Sequence, residues 1–266
     1  MKPKISIITA IYNDKENIAA TIESILNQTY ENIEYIIIDG GSTDGSIEVI
    51  NKYLNNKPKY LKHNIDKFIS KKDDGISHAF NKGINLSSGE YINFQGASDI
   101  LDNKYAIEEL FKDVDSSFDL ILGRIKRVSN DEYNKILYFS KKYKRNPLDS
   151  LLWKMNIPHQ GLFTNKRFFQ KYGLFRLDKI YSMDYEQLLR AYKDRKNLKI
   201  LYKNIFISRW KEGGIGSGKT KEILKEYHQN RVENKIANKI VLYYVYFWSL
   251  FKFYTKSILL KIIKGK

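Results

Sequence analysis

The stretch from Tyr35 to Ser46, YIIIDGGSTDGS, constrains the fold of this chain more than any other. Four large apolar residues run directly into Asp39, as in a parallel strand that is buried on both faces. Gly40 and Gly41 follow, and glycines let a backbone approach a ligand closely. Because ligands of open α/β sheets bind beyond the carboxyl ends of the strands, Asp39 is predicted to accept hydrogen bonds from a base or sugar. A strand, a turn and a helix cap with no ligand would show the same pattern.

The rest of the N-terminal half repeats the order of strand, loop and helix. The apolar run from Ile5 to Ala10 predicts a second buried strand, and a helix is predicted from Asp14 to Gln28. A short helix from Ser77 to Ile84, broken at Gly83, and a strand from Tyr91 to Gln95 are predicted next. Alternating strands and helices favour a parallel sheet. The predicted class is therefore α/β, with a Rossmann-like, mostly parallel sheet flanked by helices.

Several motifs follow one another in a recognisable order. They are TAIYN from Thr9, QTYENIEYIIIDGGSTDGS from Gln28, DDGISHAFNKGI from Asp73, SGEYINFQGASD from Ser88 and SMDYEQLLRAY from Ser182. In this order, over residues 3 to 215, the chain resembles the nucleotide-sugar-dependent glycosyltransferases of family two. The resemblance implies the GT-A fold and an inverting transfer of sugar from a nucleoside diphosphate sugar, a UDP-sugar, to a glycan or lipid-linked oligosaccharide in surface polysaccharide synthesis.

Length and composition agree with one globular domain and an extension. With 266 residues the chain can bury a sizeable core. We predict a domain over residues 1–216, divided into a nucleotide-binding half, 1–100, and an acceptor half, 101–216. A helical basic and aromatic tail is predicted over residues 217–266. The chain has no cysteine, which excludes disulfides, a thiol nucleophile and a zinc–thiolate site. Met1 to Lys4 lead directly into a strand, so no signal peptide is expected.

The last quarter of the chain holds most of the net charge of +16. Residues 201–266 contain fourteen Lys and Arg against four Glu, and Ile240 to Phe251 form an unbroken apolar run. That run is shorter than the roughly 20 residues of a membrane-spanning helix. Aromatic rings flanked by lysines are typical of a helix that lies in an anionic membrane interface. We therefore expect residues 240–266 to hold the protein on the cytoplasmic face of the membrane. The alternatives are a helix packed on the domain or on a partner, and a span extended to Ile263.

The pair Ser98-Asp99 follows a predicted strand, where family two carries a metal-binding aspartate pair. The resemblance gives the role of metal ligand, for Mn²⁺ or Mg²⁺, to Asp99. Ser98 replaces the partner that faces the sugar or ribose, a departure from the family pattern. Magnesium and manganese can be held by one or two carboxylates beside substrate phosphates. The alternative for Asp99 is a cap on a helix predicted from Asn103 to Phe111.

The same resemblance assigns six residues to the donor pocket: Thr9, Ala10, Tyr12, Asp39, Asp73 and Lys82. Asp39 is the expected partner of the uracil imide nitrogen. Asp73 is expected at the base or ribose. Lys82 would face the diphosphate or, alternatively, lie solvated on the surface.

The catalytic base is expected in the second half of the chain. Asp184 matches the family's catalytic carboxylate and precedes a helical run that begins at Gln187. A carboxylate near a helix N-terminus is favoured in its ionised form, which suits a base for a sugar hydroxyl. An N-cap role for Asp184 is the alternative, Glu186 is the rival base, and Arg190 is expected to pair with a carboxylate. His159 resembles an acceptor-side histidine of the family and could equally be structural.

Other classes fit the sequence less well. A nicotinamide enzyme would need G-x-G-x-x-G after the first strand, and Thr9 to Asn13 contain no glycine. Gly216 to Thr220 end like a P-loop but lack its strand and spacing. No nucleic-acid module is recognisable, so no nucleic-acid partner is expected. A noncatalytic sugar-nucleotide-binding or scaffold protein at the membrane remains the alternative. The segment from Trp210 to Gly216 is predicted to close over bound donor.

Overall fold

The fold is described from a computed structural model, which describes residues 2–264, with side chains through Leu259. The strands are β1 (Ile5–Ile11), β2 (Ile33–Asp39), β3 (Lys67–Ser70), β4 (Tyr91–Gly96), β5 (Ile100–Leu101), β6 (Leu120–Val128), β7 (Ile136–Phe139), β8 (Leu162–Asn165) and β9 (Ile200–Lys211). The helices are α1 (Lys15–Leu26), α2 (Ser46–Asn55), α3 (Ile76–Leu86), α4 (Ala106–Phe111), α5 (Lys166–Tyr172), α6 (Met183–Arg190), α7 (Thr220–Glu233) and α8 (Lys239–Lys264).

All described strands belong to one sheet, in the order β3-β2-β1-β4-β8-β6-β9-β5, with β7 paired to β6. The first four strands in this order are parallel, as the sequence predicts. Beyond β4 the sheet becomes mixed, because β8 pairs antiparallel with both β4 and β6. The parallel strands all end at one edge, so the loops after β1, β2 and β4 meet there.

The parallel half explains the apolar runs of the sequence. In β2, Tyr35 and Ile37 pack in one core with β1 and α1, while Ile36 and Ile38 pack on the other face with α3. Burial on both faces removes the polar alternation that a half-exposed strand would show. The strand and helix predictions for this half are confirmed, and α/β is the class of the fold.

The predicted break at Gly83 is wrong. Helix α3 runs through Gly83 to Leu86. A Cβ atom at Gly83 would lie 2.4 Å from Cγ2 of Ile8 on β1. Glycine therefore allows α3 to lie close against the sheet, which is a packing requirement and not a helix end.

Two further helices, α7 and α8, follow the last strand and extend the molecule. Helix α7 contacts α6, and α8 folds back along α7. Leu242 and Val245 of α8 are buried, and the ring of His228 on α7 stacks on Tyr246 with centroids 4.6 Å apart. The domain boundary at residues 216 and 217 stays a prediction. The last residues of the predicted tail, Gly265 and Lys266, and the side chains after Leu259 lie outside the described residues.

Candidate active site

A cleft of about 1330 Å³ lies where β4, β9 and α6 meet. Four of the predicted site residues line it: Ser98, Asp99, His159 and Asp184. The segment from Trp210 to Gly216 borders the same cleft, which is the place a closing loop needs. Its closure remains a prediction. The cleft is larger than the roughly 300–1,000 Å³ of a typical small-molecule pocket.

Asp99 is the buried carboxylate at the end of β4. Its Oδ2 accepts hydrogen bonds from Gln160 Nε2 at 3.0 Å and Gly96 N at 3.1 Å. Its Oδ1 accepts only a long bond, 3.3 Å, from Lys211 N. Burial raises the pKa of Asp99 to about 6, and the charge of nearby Asp14 adds to the rise. The predicted helix-cap role for Asp99 is wrong, because β5 follows it and α4 begins only at residue 106.

The metal-ligating side chains around Asp99 decide whether the site could hold a cation. In the part of the chain that the structure describes, no three metal-ligating side chains gather at one point. Asp99 nevertheless lines the cleft, and among the described residues its Oδ1 accepts one long hydrogen bond. One carboxylate suffices for Mg²⁺ or Mn²⁺ when substrate phosphates supply further oxygens. The residues present therefore fit a cation that arrives with the donor, and do not form a cage that holds one alone.

His159 and Gln160 form a turn over β4. Asn93 Nδ2 and Gln95 Nε2 both donate to the carbonyl oxygen of Gln160, each at 3.1 Å. The His159 ring stacks on Phe94 with centroids 4.7 Å apart. Burial lowers the pKa of His159 to about 3, so the imidazole is neutral at neutral pH. Its place in the cleft agrees with either an acceptor-binding or a structural histidine.

Asp184 lies in the first turn of α6 and borders the cleft. Helix α6 begins at Met183, four residues earlier than predicted, and its N-cap is Ser182. The N-cap alternative for Asp184 is therefore wrong. Burial raises the pKa of Asp184 to about 6, a hydrogen bond from the Tyr185 amide opposes this, and the charge of Glu226 adds to it. Such a carboxylate is ionised at neutral pH and more basic than a solvated aspartate.

Glu186, the rival base, points away from the cleft. It is 1% exposed, and its Oε2 lies 3.2 Å from Arg190 Nη2. This confirms the predicted pairing of Arg190 with a carboxylate. Because the pair lies outside the cleft lining, the geometry favours Asp184 over Glu186 as the base.

Glu226 and Tyr227 of α7 belong to the site and were missed by the sequence analysis. Glu226 Oε1 accepts from Tyr181 N at 3.0 Å, Ser182 N at 2.9 Å and Ser182 Oγ at 2.6 Å. One carboxylate thus orders the chain that leads into α6 and Asp184. Tyr227 lines the cleft beside this helix. The sequence gives no signal that singles out Glu226, because α7 contains three acidic and three basic side chains.

The predicted donor residues form a second cluster, beside the cleft. A Cβ atom at Gly40 would lie 3.4 Å from the Tyr12 ring and 3.7 Å from Asp73 Cβ. The Tyr12 side chain is 67% exposed, so its ring is free to face a base. Asp73 Oδ2 is buried and has no hydrogen-bond partner among the described residues. Ile76, three residues after Asp73, lines the cleft, so the two clusters adjoin.

Asp39 is fully buried and organises the loop after β2. Its carboxylate accepts from the amides of Gly41 and Ser42 and from Ser70 Oγ at 2.6 Å. Ser42 Oγ donates to it as well, at 2.5 Å. The structure therefore shows a loop-holding role, and a bond from Asp39 to uracil stays a prediction.

Three further donor assignments also stay predictions. The Thr9 hydroxyl accepts a hydrogen bond from Tyr35 Oη at 3.1 Å, and the whole residue is buried. Ala10 is a buried β1 residue. Lys82 pairs with Asp73 and is largely buried, which differs from the solvated alternative, and its contact with the diphosphate stays a prediction.

The fold and the cleft define a class: an α/β protein in which a parallel half and a mixed half enclose two separate carboxylates, one at a strand end and one on a helix. The family model for glycosyl transferase family 2 matches residues 6–173. The chain therefore belongs to glycosyltransferase family 2.

The relatives include glycosyltransferases of several bacteria. The chain is 31% identical over 137 residues to glycosyltransferase GlyA of Streptococcus pneumoniae, a match to 51% of this chain and 18% of GlyA. It is 28% identical over 220 residues to a PGL/p-HBAD biosynthesis glycosyltransferase of Mycobacterium bovis, a match to 81% of this chain and 80% of that protein. The chain spans less than half the length of GlyA and of its pneumococcal relative GlyG.

Solved structures share the fold. TarS 1–349 of S. aureus in complex with UDP-GlcNAc matches with a TM-score of 0.61 and 16% identity, over 85% of this chain and 66% of that chain. The mannosyltransferase PcManGT from Pyrobaculum calidifontis, in complex with GDP-Man and Mn²⁺, matches with a TM-score of 0.63 and 15% identity, over 94% and 72%. At these identities the likeness concerns the fold, and it confirms the predicted GT-A architecture.

Proposed function

We propose that this chain is an inverting glycosyltransferase that moves a sugar from a UDP-sugar to a hydroxyl group of a glycan, carried on a lipid, in surface polysaccharide synthesis. The observation that carries the proposal is the pair Asp99 and Asp184. Both carboxylates face one cleft, and they stand on different elements of the fold. In this proposal Asp99 serves the donor and Asp184 serves the acceptor.

The donor would lie across the two adjoining clusters. Tyr12 offers a ring face to the base, and Asp73 Oδ2 offers an unused acceptor to a base or ribose donor group. Asp99 would hold a divalent cation together with the diphosphate, and such a cation supplies Lewis acidity to the leaving group. Ser98 beside it presents a hydroxyl where the family pattern has a carboxylate.

Asp184 would act as the general base. Its carboxylate accepts the proton of the acceptor hydroxyl while the new bond forms at the anomeric carbon and the bond to the diphosphate oxygen breaks. A single displacement of this kind inverts the anomeric centre and needs no protein nucleophile. The raised pKa of about 6 suits the role, because a base is most effective when its pKa lies near the working pH.

Helix α8 supports a peripheral position on the cytoplasmic membrane face. Its aromatic residues project outward, among them Phe247 at 61% and Phe251 at 56% exposure. Lys252 Nζ lies 4.9 Å from the Trp248 ring, the pairing expected where rings meet headgroups. No helix in the described part of the chain combines the length and the hydropathy of a membrane span.

Thermal denaturation tests the donor and metal assignments. UDP with Mn²⁺ should raise the Tm of the wild type, because a ligand that binds only the folded state stabilises it by about 2.7 kcal/mol at a hundredfold excess over Kd. Asp99→Asn should lose the part of this rise that depends on Mn²⁺, while Ser98→Ala should keep most of it. An equal, Mn²⁺-dependent rise in Asp99→Asn would show that the metal is held elsewhere. No rise in the wild type would contradict the donor proposal.

A further inference from the structure

One wall of the cleft carries positive charge that the proposed chemistry does not use. Lys141, Lys142, Lys144, Arg145 and Lys154 all line the cleft and are all exposed. We call these five residues the basic wall. None of them lies within 4 Å of a carboxylate in the part of the chain that the structure describes.

The acidic side chains of the cleft do not balance this charge. Asp149 is paired with Arg195 at 2.8 Å, and Glu212 with Arg127 at 3.2 Å. The other two acidic side chains that line the cleft are Asp99, the proposed metal ligand, and Asp184, the proposed base. Like charges that line one side of a cleft repel each other, and an anion that binds between them removes this repulsion.

The segment 140–146, which carries four of the five residues of the basic wall, is anchored by hydrogen bonds. At its start, Arg124 Nε and Nη2 donate to the Ser140 carbonyl at 2.8 and 2.6 Å. In its middle, Tyr143 Oη donates to Asn156 O at 3.2 Å. At its end, Asn146 Nδ2 donates to Arg195 O at 3.0 Å. These three anchored residues alternate with the basic residues of the segment. The backbone is therefore held in place beside the cleft that the basic side chains line.

We propose that the basic wall binds phosphate carried by the acceptor, so that the acceptor is a phosphate-bearing glycan, with the phosphate close to the hydroxyl that receives the sugar. The inference rests on the proposed function and names its acceptor class. Phosphate suits several cations at once, since each group offers charge and strong acceptor oxygens to Lys and Arg. The cleft volume leaves room for this group beside a donor.

The phosphate could come from two sources, a lipid diphosphate or a phosphodiester-linked glycan chain. The Lys154 end of the basic wall adjoins α8, because Trp153, the preceding residue, meets Tyr244 of α8 edge to face with ring centroids 6.4 Å apart. A lipid-borne phosphate would therefore reach the wall from the side of the proposed membrane helix. A phosphodiester chain would reach it from solvent.

Binding measured with UDP and Mn²⁺ at saturation tests the proposal, because the donor site is then filled. The probes are farnesyl diphosphate, a glycerol phosphate oligomer and a neutral oligosaccharide, cellopentaose. The wall variant replaces Lys141, Lys142, Lys144 and Arg145 with Ser. The control variant replaces four exposed lysines that do not line the cleft: Lys52, Lys59, Lys112 and Lys196.

We expect at least one phosphate probe to bind the wild type more tightly than cellopentaose and to lose about tenfold or more in the wall variant, while the control variant loses less than about twofold. High salt should weaken this binding. Preference for farnesyl diphosphate indicates the lipid source, and preference for the oligomer indicates the polymer.

The proposal is overturned if no phosphate probe exceeds cellopentaose, or if wall and control variants lose equally. It is also overturned if the wall variant binds UDP less tightly, which would make the wall part of the donor site. Loss of binding only to vesicles of phosphatidylglycerol would make it a membrane patch instead. Failure of the proposed function is separate, because it would appear as a wild type that binds no UDP.

Discussion

Asp184, the proposed base, illustrates at the scale of one residue how a buried carboxylate in a cleft opposes stability. Its surroundings are poorly solvated, so ionisation in the folded state is unfavourable, and the pKa rises from 3.8 to about 6. Between these values the folded protein binds more protons than the unfolded chain. The free energy of unfolding therefore falls as the pH rises through this window, and the loss is complete above pH 6.

Asp184→Asn should separate the effect of this carboxylate on sugar transfer from its effect on stability. Sugar transfer should fall about 10²–10⁴-fold, since the base is removed. The free energy of unfolding at pH 7.5 should rise by on the order of 1–3 kcal/mol, and this gain should vanish near pH 4. Urea unfolding of the wild type and the variant between pH 4 and 7.5 measures the free energy of unfolding. Transfer rates are measured on the same samples.

The wild-type rate should also decline as the pH falls below about 6. Glu186→Gln is the matched control, because Glu186 is paired with Arg190 outside the cleft. It should change stability without removing the acid limb of the rate profile. Near-normal transfer by Asp184→Asn, with abolished transfer by Glu186→Gln, would move the base to Glu186.

At the scale of elements, α6 depends on α7. The orphan amides that lead into a helix need acceptors, and here Glu226 of the neighbouring helix supplies them. Asn230 Nδ2 adds a bond to Ser182 Oγ at 2.8 Å. Arg231, almost fully buried, donates to Tyr185 Oη at 2.7 Å. The helix that carries the proposed base is thus held by residues beyond the stretch that the family model matches.

Glu226→Gln should weaken this support and change the pH profile. A neutral amide accepts less strongly than a carboxylate, so stability should fall by about 1–2 kcal/mol. Loss of the negative charge should also lower the pKa of Asp184, because that charge is one cause of its rise. The acid limb of the transfer rate should therefore move to lower pH, which a rate profile from pH 5 to 8 would detect.

Glu222→Gln is the control on the same helix, since Glu222 is 51% exposed and its Oε1 lies 4.0 Å from Lys219 Nζ. It should leave both the stability and the rate profile near those of the wild type. If the two variants show the same profile, Glu226 only stabilises the fold and does not tune Asp184.

At the scale of the whole molecule, the tail has two parts with different tasks. Helix α7 contacts the helix of the proposed base, whereas α8 buries Leu242 and Val245 against α7 and exposes most of its rings. A cut placed before α8 therefore leaves the contacts of α7 with α6 in place.

Removal of residues 240–266 should release the protein from vesicles rich in phosphatidylglycerol and spare the rise in Tm with UDP. Rings and lysines both contribute to attachment, so high salt should weaken it without abolishing it. Phe247→Ser with Phe251→Ser in the full chain is the milder variant, because both rings are exposed. It should reduce vesicle binding while α8 stays packed. Vesicle binding that neither change lowers would contradict the membrane role of α8.

The sequence by itself determined three of the four strands in the parallel half of the fold, and the edge strand β3 was not predicted. The strands at Ile5 and Tyr35 follow from apolar runs, because burial on both faces favours such runs. It also placed Ser98, Asp99, His159 and Asp184 among the candidates, through motifs that lie next to strand ends and a helix start. Local signals of this kind depend on neighbours in the chain and can be recognised without a structure.

Only the tertiary structure decided the rest. Position 83 requires a glycine inside a helix because Ile8, far away in sequence, lies against it. Asp39 and Glu186 are turned inward by partners on other elements, Ser70 and Arg190 being the clearest. Glu226 serves the α6 start from the neighbouring helix, and the basic wall matters because it faces the same cleft as Asp99. Contacts between distant segments set burial, charge balance and the pKa of a side chain, and a linear pattern does not specify which segments will meet.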